Sequence, residues 1–270
     1  MATYRCTVAA STEEIRQAQR LRWQVYGEEE RMLPRTVALN GREVDARDEG
    51  RGTSHLLIYR DSEPVGTVRL VRAGGPGAAN DPRGLDLATK LNLDHFATPD
   101  IALGEVTRYC VLRQYRCTAV THALWQALRA ESRRLGITHW VAGANMETNA
   151  PEDADLAYQV AKDQGLLSDQ SCAALSSVPA PSPATRRLYT DEQHRRAAAG
   201  DRRGLELPRV LSLFAKRMGA RFIGRPIYDG YFDIFALPLV VSLAEATVPR
   251  PCSLGGIPRR ADQAQSRLSP

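Results

Sequence analysis

Apolar and polar positions follow two different periods along the chain, and the order of these periods predicts one α/β domain. Strand-like runs lie at about residues 4–9, 55–59, 64–72, 104–112, 138–145, 221–228 and 234–243, and helical spacing at about 12–32, 120–135, 153–163 and 207–218. The polar stretch 81–100 is expected to hold one short helix. The order β, α, loop, hairpin, β, α, β, insertion, α, hairpin indicates a mixed central sheet flanked by helices.

Three segments interrupt this pattern. Residues 146–206 carry one helical signal and a basic, polar stretch, and we interpret them as an insertion with partly mobile parts into a domain spanning residues 1–246. The tail 247–270 has Pro, Gly, Ser and Arg without periodicity and is predicted to be disordered. The loop 33–52 is long enough to suggest a function and contains Glu43, Asp45 and Asp48.

Composition narrows the class of partner. The net charge is +5 and the pI about 9.1, but the arginines are spread along the chain without the aromatic interleaving of a nucleic-acid surface. An acidic protein or an anionic substrate fits this charge better than nucleic acid. The five cysteines are odd in number and form no Cys-x-x-Cys pair, so we expect reduced thiols and no metal site.

The longest apolar run, Ile234 to Ala244, is too short to span a bilayer, and no signal-length apolar core follows the N-terminus. We therefore expect a cytoplasmic protein without a transmembrane segment, for which peripheral contact with a membrane stays open.

The run from Gly104 to Leu112 brings charge into a strand. In strict β alternation Glu105, Thr107 and Tyr109 share one face, whereas Val106, Arg108 and Cys110 share the other. One strand would then send polar groups into both layers, directly before a helix.

Four elements in register resemble the acyl-homoserine-lactone synthases of the GNAT acyltransferase fold. They are Arg22-Trp23-Gln24-Val25-Tyr26, the acidic loop Glu43-Val44-Asp45-Ala46-Arg47-Asp48, the strand Gly66-Thr67-Val68-Arg69-Leu70 and the strand Glu105-Val106-Thr107-Arg108. The later blocks Tyr115-Arg116, Leu124-Trp125, Gly136-Ile137, Leu207-Pro208, Gly219-Ala220 and Pro226-Ile227-Tyr228-Asp229 are similar to ornithine-lipid N-acyltransferases and N-acyl amino acid synthases. The resemblance covers about residues 10–245 and thins across 150–205.

The resemblance implies a GNAT-like fold and transfer of a long acyl chain from acyl carrier protein to the amine of an amino acid or a similar small metabolite. GNAT members that use acetyl-CoA carry a glycine-containing loop for the pyrophosphate, whereas this chain has Arg113-Gln114-Tyr115-Arg116-Cys117-Thr118. A phosphopantetheine arm has a single phosphate and therefore needs fewer exposed backbone N–H groups than a pyrophosphate does. We therefore expect Arg113, Tyr115, Arg116 and Thr118 to bind acyl-phosphopantetheine, on acyl carrier protein rather than CoA, with no permanently bound cofactor.

The reaction also suggests roles for individual residues. An acceptor ammonium must lose a proton before it attacks a thioester, and Glu105 and Glu43 are the candidate bases. Backbone N–H groups near Arg108 to Val111 would receive the oxyanion, and an arginine fork suits an acceptor carboxylate. The predicted catalytic residues are Glu105, Glu43 and Arg108, and the predicted substrate-binding residues are Arg22, Tyr26, Asp45, Asp48, Arg69, Thr107 and Val111.

Several alternatives stay open. The charged residues could form a structural ion-pair network that pins loop 33–52 over the sheet, and Glu43 could be a solvated loop acid. The chain could also be a lactone synthase that uses S-adenosylmethionine, an acyl-CoA-dependent enzyme, or a non-catalytic carrier- or lipid-binding protein. The arginine pairs at 186–187, 195–196 and 202–203 are a solvated surface or a dock for acyl carrier protein.

Overall fold

An eight-stranded mixed sheet organises the chain in a computed structural model, which describes residues 4–74, 81–175 and 184–244. The predicted tail 247–270 and the loop 176–183 lie outside the described residues. The strands are β1 (Tyr4–Val8), β2 (Thr53–Arg60), β3 (Glu63–Arg72), β4 (Leu103–Val111), β5 (His139–Asn145), β6 (Arg221–Phe222), β7 (Ile227–Asp229) and β8 (Ile234–Ser242). Their order is β1-β2-β3-β4-β5-β8-β6, and β7 also pairs with β8.

The helices are α1 (Thr12–Trp23), α2 (Ala119–Arg134), α3 (Pro151–Asp163), α4 (Asp191–Ala198) and α5 (Arg209–Met218). Short 3₁₀ turns lie at Arg35–Val37, Leu87–Thr89, Asp94–Phe96 and Arg113–Tyr115. Each cap follows from local chemistry: Ser11 and Glu14 form a capping box before α1, and Gly219 ends α5 with a φ of 67°.

The structure differs from the predicted elements at four places. The first helix changes at Gln24 into a π-helical segment that ends at Glu29. The stretch 81–100 holds two 3₁₀ turns, and the predicted strand 221–228 is divided into β6 and β7. Helix α4 was not predicted from its polar sequence, although a capping box between Thr190 and Gln193 starts it.

The mixed character of the sheet comes from one parallel pair. Strands β4 and β5 run parallel and their ladder covers only Leu103–His139, Gly104–Trp140 and Glu105–Val141. The other adjacent strands pair antiparallel. Within the described ladders, β4 from Val106 onward pairs with β3 alone, so its other edge diverges from β5.

The two faces of the sheet are covered by different helices. On one face Ala18 of α1 packs against Leu57 and Tyr59 of β2. On the other face Leu70 belongs to the same fully buried cluster as Leu128 of α2. The segment 146–206 adds buried apolar residues to that cluster, namely Leu156, Ala157, Val160, Tyr189 and Leu205.

A β-bulge at Arg108 changes the expected face pattern of β4. Thr67 of β3 pairs with Cys110 and Arg69 pairs with Thr107, so two residues of β4 lie opposite Val68. Arg108 takes a φ of 54°, which is uncommon for a residue with a side chain. The prediction that Tyr109 shares a face with Glu105 and Thr107 was therefore wrong: Tyr109 stacks on Trp125 of α2, with ring centroids 4.6 Å apart.

Candidate active site

A buried ion network connects α1 to the acidic loop. The guanidinium of Arg22 donates to both carboxylate oxygens of Asp48, at 2.9 and 2.6 Å, and to the carbonyl oxygen of Glu43 at 2.7 Å. Its Nε also lies 2.6 Å from Oε2 of Glu43. The side chains of Arg22, Glu43 and Asp48 are at most 1% exposed, so this part of the network is closed to solvent.

The network continues through β3. Arg69 donates from Nη1 to Asp48 at 2.9 Å, lies 3.2 Å from Asp45, and donates from Nε to the hydroxyl of Thr107 at 3.0 Å. Burial opposes ionisation of Asp48, but the hydrogen bonds and charge of Arg22 outweigh it and hold the pKa of that carboxyl well below its usual range. Asp48 is therefore ionised throughout the physiological range.

Two further contacts fix the acidic loop. Gln19 of α1 donates to Asp48 at 2.9 Å, and the ring Nε2 of His55 lies 2.9 Å from the carbonyl oxygen of Asp48. Asp48 also accepts the backbone N–H of Asp45 at 3.1 Å. Because one carboxylate receives donors from two helical residues and the loop itself, Asp48 is the structural centre of the network.

Arg108 closes the network from β4. Its Nε donates to Glu43 at 3.0 Å and its Nη2 donates to Asp45 at 2.7 Å. Its guanidinium lies 5.4 Å from the ring centroid of Tyr231 and 4.9 Å from that of Phe232. The bulge aims the Arg108 side chain at the acidic loop, since an unbroken strand would send it to the opposite face.

Exposure separates the network into an enclosed half and an accessible half. Arg22, Arg69 and Asp48 are buried, whereas the Arg108 side chain is 14% exposed and that of Asp45 is 15% exposed. Solvent can therefore reach the network at Arg108 and Asp45, and the buried residues of the network hold these two side chains in place.

Glu105 lies apart from this network. Its carboxylate accepts the backbone N–H groups of Asp86 at 2.6 Å and Leu87 at 3.0 Å. Burial, followed by the charge of Asp86, raises the pKa of Glu105 to about 7. Glu105 thus contacts the backbone at the start of the 3₁₀ turn Leu87–Thr89. Of the two predicted bases, Glu43 is the one that contacts Arg108 directly.

The remaining predicted substrate-binding residues lie at different distances from the network. Tyr26 packs edge-on against Phe232, with centroids 4.9 Å apart, and so borders the accessible half. Val111 is buried opposite Gly66, and its carbonyl oxygen accepts a hydrogen bond from Arg116 at 2.9 Å. Val111 therefore contacts the predicted donor loop and not the acidic loop.

The predicted donor loop is held by two carboxylates at the end of the π-helical segment. Glu29 accepts the backbone N–H of Arg113 at 3.1 Å and the guanidinium of Arg116 at 2.8 Å. Glu30 accepts a second bond from Arg116 at 2.6 Å. The groups that we expected to bind a phosphate are thus engaged by acids of the same chain.

The predicted donor loop contains a left-handed backbone conformation although it has no glycine. Cys117 adopts a φ of 58°, the left-handed conformation that glycine usually provides. Thr118 then caps α2 by accepting from Val120 N at 3.2 Å, and its hydroxyl donates to the carbonyl oxygen of Tyr115 at 2.6 Å. The first turn of α2 is consequently closed by its own cap, while the Tyr115 hydroxyl accepts from Arg60 at 2.9 Å.

The six arginines at 186–187, 195–196 and 202–203 are engaged within the chain. Arg186 donates to the backbone carbonyl of Asp233 at 3.0 Å. The others pair with acids, as in Arg187–Glu152, Arg195–Glu192, Arg196–Asp201, Arg202–Asp163 and Arg203–Asp201. This pairing reduces the positive charge available to an acidic partner at these positions.

Sequence reasoning missed the aromatic pair Tyr231 and Phe232 and the acids Glu29 and Glu30. A signal for the first pair exists, because two adjacent aromatic residues follow the turn Asp229-Gly230. The signal for the second is the acidic run at the end of the first helix. Neither sequence signal indicates which residues these side chains contact, because the contacted residues lie far away in sequence.

Within residues 4–74, 81–175 and 184–244, no cluster of three His, Cys, Asp or Glu side chains is suited to hold a metal ion. None of the helices in that same part of the chain has the length and apolar character needed to cross a membrane.

Comparison with known proteins finds a family model that matches part of the chain. Residues 21–126, which include the ion network and the donor loop, match the acetyltransferase (GNAT) domain. This match covers less than half of the chain. Over 142 residues it is 31% identical to the L-ornithine N(alpha)-acyltransferase of Brucella abortus (strain 2308). That alignment covers 48% of each protein, so the chain spans about half the length of the curated relative it matches.

Solved structures are similar to this chain in fold. FeeM, an N-acyl amino acid synthase from uncultured soil microbes, superposes with a TM-score of 0.51 at 11% identity, covering 91% of this chain and 93% of that chain. The CoA-dependent acyl-homoserine lactone synthase BjaI superposes with a TM-score of 0.46 at 15% identity, over 90% of this chain and 84% of that one. The predicted GNAT-like α/β fold is confirmed, and the expectation of an acyltransferase is confirmed at the level of the domain family.

Proposed function

We propose that this protein is an N-acyltransferase that moves a long acyl chain from the phosphopantetheine thioester of acyl carrier protein to the amine of an amino acid or similar small metabolite. The contact that carries the proposal is the pair Arg108–Glu43, with Nε and Oε1 3.0 Å apart, at the bulge where β4 leaves β5. The Arg108 side chain is 14% exposed, and the Glu43 carboxylate that it contacts is buried.

Each of these groups suits one part of an amino acid acceptor. The planar guanidinium of Arg108 can bind the acceptor carboxylate through two parallel hydrogen bonds. Glu43 can take a proton from the acceptor ammonium, which frees the nitrogen lone pair for attack. Arg22 and Arg69 hold the acidic loop beneath them, so the pair keeps its geometry.

The reaction then balances without a further reagent. After Glu43 has taken one proton, the amine nitrogen forms a bond to the thioester carbonyl carbon and the C–S bond breaks. The pantetheine thiolate leaves and takes up the second proton that the nitrogen loses, and the proton on Glu43 passes to solvent. The oxyanion of the intermediate needs backbone N–H donors. We assign these to the free edge of β4 from Arg108 to Val111, since this stretch has diverged from β5.

Acyl carrier protein is favoured over CoA by the donor loop. The self-capped start of α2 and the side chains of Arg116 and Thr118 leave a single-phosphate arm easier to accommodate than a pyrophosphate. The names of two relatives agree with this acceptor class, because one names the amino acid ornithine as the acyl acceptor and the other names an N-acyl amino acid as the product.

The test is a direct assay with competing donors and acceptors. Purified protein is incubated with long-chain acyl carrier protein or the matching acyl-CoA, together with the twenty amino acids and ornithine, and products are identified by mass spectrometry. We expect an acyl-amide with the carrier-bound donor. A lactone formed only with S-adenosylmethionine would identify a lactone synthase, a preference for acyl-CoA would overturn the choice of donor, and carrier binding without product would indicate a binding protein.

A further inference from the structure

Tyr231 lies over Arg108 in the ion network, and the proposed function gives it no role. It lies in the turn between β7 and β8, and its hydroxyl donates to Oε1 of Glu43 at 3.1 Å. Its ring lies over the Arg108 guanidinium, 5.4 Å from centroid to carbon. Tyr231 thus contacts both members of the pair to which we assign the acceptor.

Its neighbour Phe232 has a different environment. Phe232 is 8% exposed and packs in a small cluster with Trp23, Leu33 and Ile234, whereas Tyr231 is 38% exposed. Phe232 therefore anchors the turn, while Tyr231 has solvent on one side and the network on the other. Of these two rings, only that of Tyr231 can leave Arg108 without opening the core.

Side-chain hydrogen bonds stabilise the turn between β7 and β8. The carboxylate of Asp229 accepts the backbone N–H of Tyr231 at 3.0 Å, and Asp233 accepts the Tyr228 hydroxyl at 2.7 Å. These bonds keep the backbone in place, so a change in the Tyr231 side chain alone can uncover Arg108.

The contacts of Glu43 also require Tyr231 to move before an acceptor can bind. Its Oε2 lies beside Arg22, and its Oε1 receives both Arg108 and the Tyr231 hydroxyl. Burial and the charge of Glu43 raise the pKa of Tyr231 to about 12, so the hydroxyl stays a donor at neutral pH. An acceptor ammonium can reach Oε1 only in place of that hydroxyl, because Arg108 is held by Asp45 as well.

We propose that Tyr231 is a specificity-determining gate for the amine acceptor, whose carboxylate takes the place of the ring over Arg108 and whose ammonium takes the place of the hydroxyl on Glu43. The inference rests on the proposed function for the identity of the acceptor. The covering of Arg108 by Tyr231 can be measured without it.

The first experiment measures access to Arg108 with no substrate present. Phenylglyoxal, an arginine-specific reagent, is added to the folded protein, and each arginine is quantified by peptide mass spectrometry. Tyr231→Ala should raise the labelling rate of Arg108 at least fivefold, and Tyr231→Phe should leave it within twofold because the ring stays. The buried Arg22 and the 89% exposed Arg83 side chain serve as internal negative and positive controls.

Unchanged labelling of Arg108 in Tyr231→Ala would overturn the proposal. Labelling of Arg22 together with Arg108 would also overturn it, since Tyr231 would then stabilise the whole network. Either result is obtained even if no acyl transfer is found, so failure of the gate and failure of the proposed function are distinguishable.

The second experiment measures acceptor choice. With the acyl donor fixed, kcat/KM is compared for glycine and for amino acids with large side chains. Tyr231→Ala should raise the ratio for large over small acceptors at least tenfold, whereas Tyr231→Phe should raise kcat/KM for all acceptors by a common factor. Tyr4→Ala, which truncates a tyrosine of similar exposure on β1, is the matched control; an equal change there would contradict a specific role for Tyr231.

Discussion

Arg108 and Glu43 are 65 positions apart in the chain, yet Nε of the first lies 3.0 Å from Oε1 of the second. The contact exists because β4 bulges at Arg108, whose backbone adopts a φ of 54° and sends the side chain toward the acidic loop. Non-glycine residues at such φ are concentrated at functional sites, where surrounding contacts hold the conformation. Here the second hydrogen bond to Asp45, at 2.7 Å, and the rings of Tyr231 and Phe232 supply those contacts.

Arg108→Lys should show whether acceptor binding depends on the positive charge of Arg108 or on the planar shape of its guanidinium. Lysine keeps the positive charge but cannot reach Glu43 and Asp45 with one planar group. We expect kcat/KM for the acceptor to fall about 10- to 100-fold, or about 1–3 kcal/mol, with the donor KM little changed. Steady-state kinetics with each substrate varied in turn checks this, and Arg83→Lys, at an exposed ion pair, is the control. An equal loss for donor and acceptor would remove Arg108 from the acceptor site.

Asp48→Asn should mainly lower the free energy of unfolding. The substitution leaves Arg22 and Arg69 buried without the carboxylate that receives both of them. Breaking such a buried pair costs about 3–5 kcal/mol of unfolding free energy. Urea denaturation measures the loss, and Asp163→Asn, whose partner Arg202 lies at the surface, should change stability far less. Similar losses in both variants would mean that the enclosed half of the network contributes little.

Glu29→Gln should strengthen donor binding. The Glu29 carboxylate holds the Arg113 N–H and the Arg116 guanidinium, which are the groups expected to bind the donor phosphate. Removing its charge should lower the donor KM about 3- to 10-fold, which corresponds to about 1 kcal/mol. Glu28→Gln removes the same charge from the neighbouring position, where the carboxylate bonds to Trp23, and should have no such effect. A higher donor KM in Glu29→Gln would show instead that Glu29 shapes the loop for the donor.

Glu105 should make stability depend on pH. Burial raises the pKa of Glu105 to about 7 in the folded chain, above its ordinary value of 4.5, so the folded state binds more protons than the unfolded state between these values. Unfolding free energy should therefore decrease as pH rises from about 4.5 to 7, by an amount on the order of 1–3 kcal/mol. Glu105→Gln carries no titrating proton and should remove that part of the slope.

Denaturation at several pH values in the wild-type chain and Glu105→Gln measures this difference. Glu152→Gln, at an exposed pair with Arg187, should keep the wild-type slope. A slope equal in Glu105→Gln and the wild type would mean that the two backbone N–H bonds keep Glu105 ionised in spite of its burial. The same variant also tests the predicted role of Glu105 as a base, since full turnover at neutral pH would assign proton transfer elsewhere.

The sequence alone determined the elements and most of their ends. The capping box at Ser11, the glycine after α5 and the alternation in β2 and β3 are local signals, because each depends on residues within a few positions. The charged motifs predict most members of the ion network, but Glu105 lies apart from it, and Glu43, for which a solvated loop position was one alternative, is a buried member. A helix of polar residues such as α4 was missed because its apolar face is too small to give a period.

Only the tertiary structure decided which charged groups meet. The bulge at Arg108 depends on the pairing of β3 with β4, and it turns Tyr109 toward α2. Glu105 meets the backbone of Asp86, and Tyr231 reaches Glu43 from 188 positions away. Sequence periodicity fixes the face of an element, whereas the partner of a buried charge depends on strand register and on how distant loops pack over it.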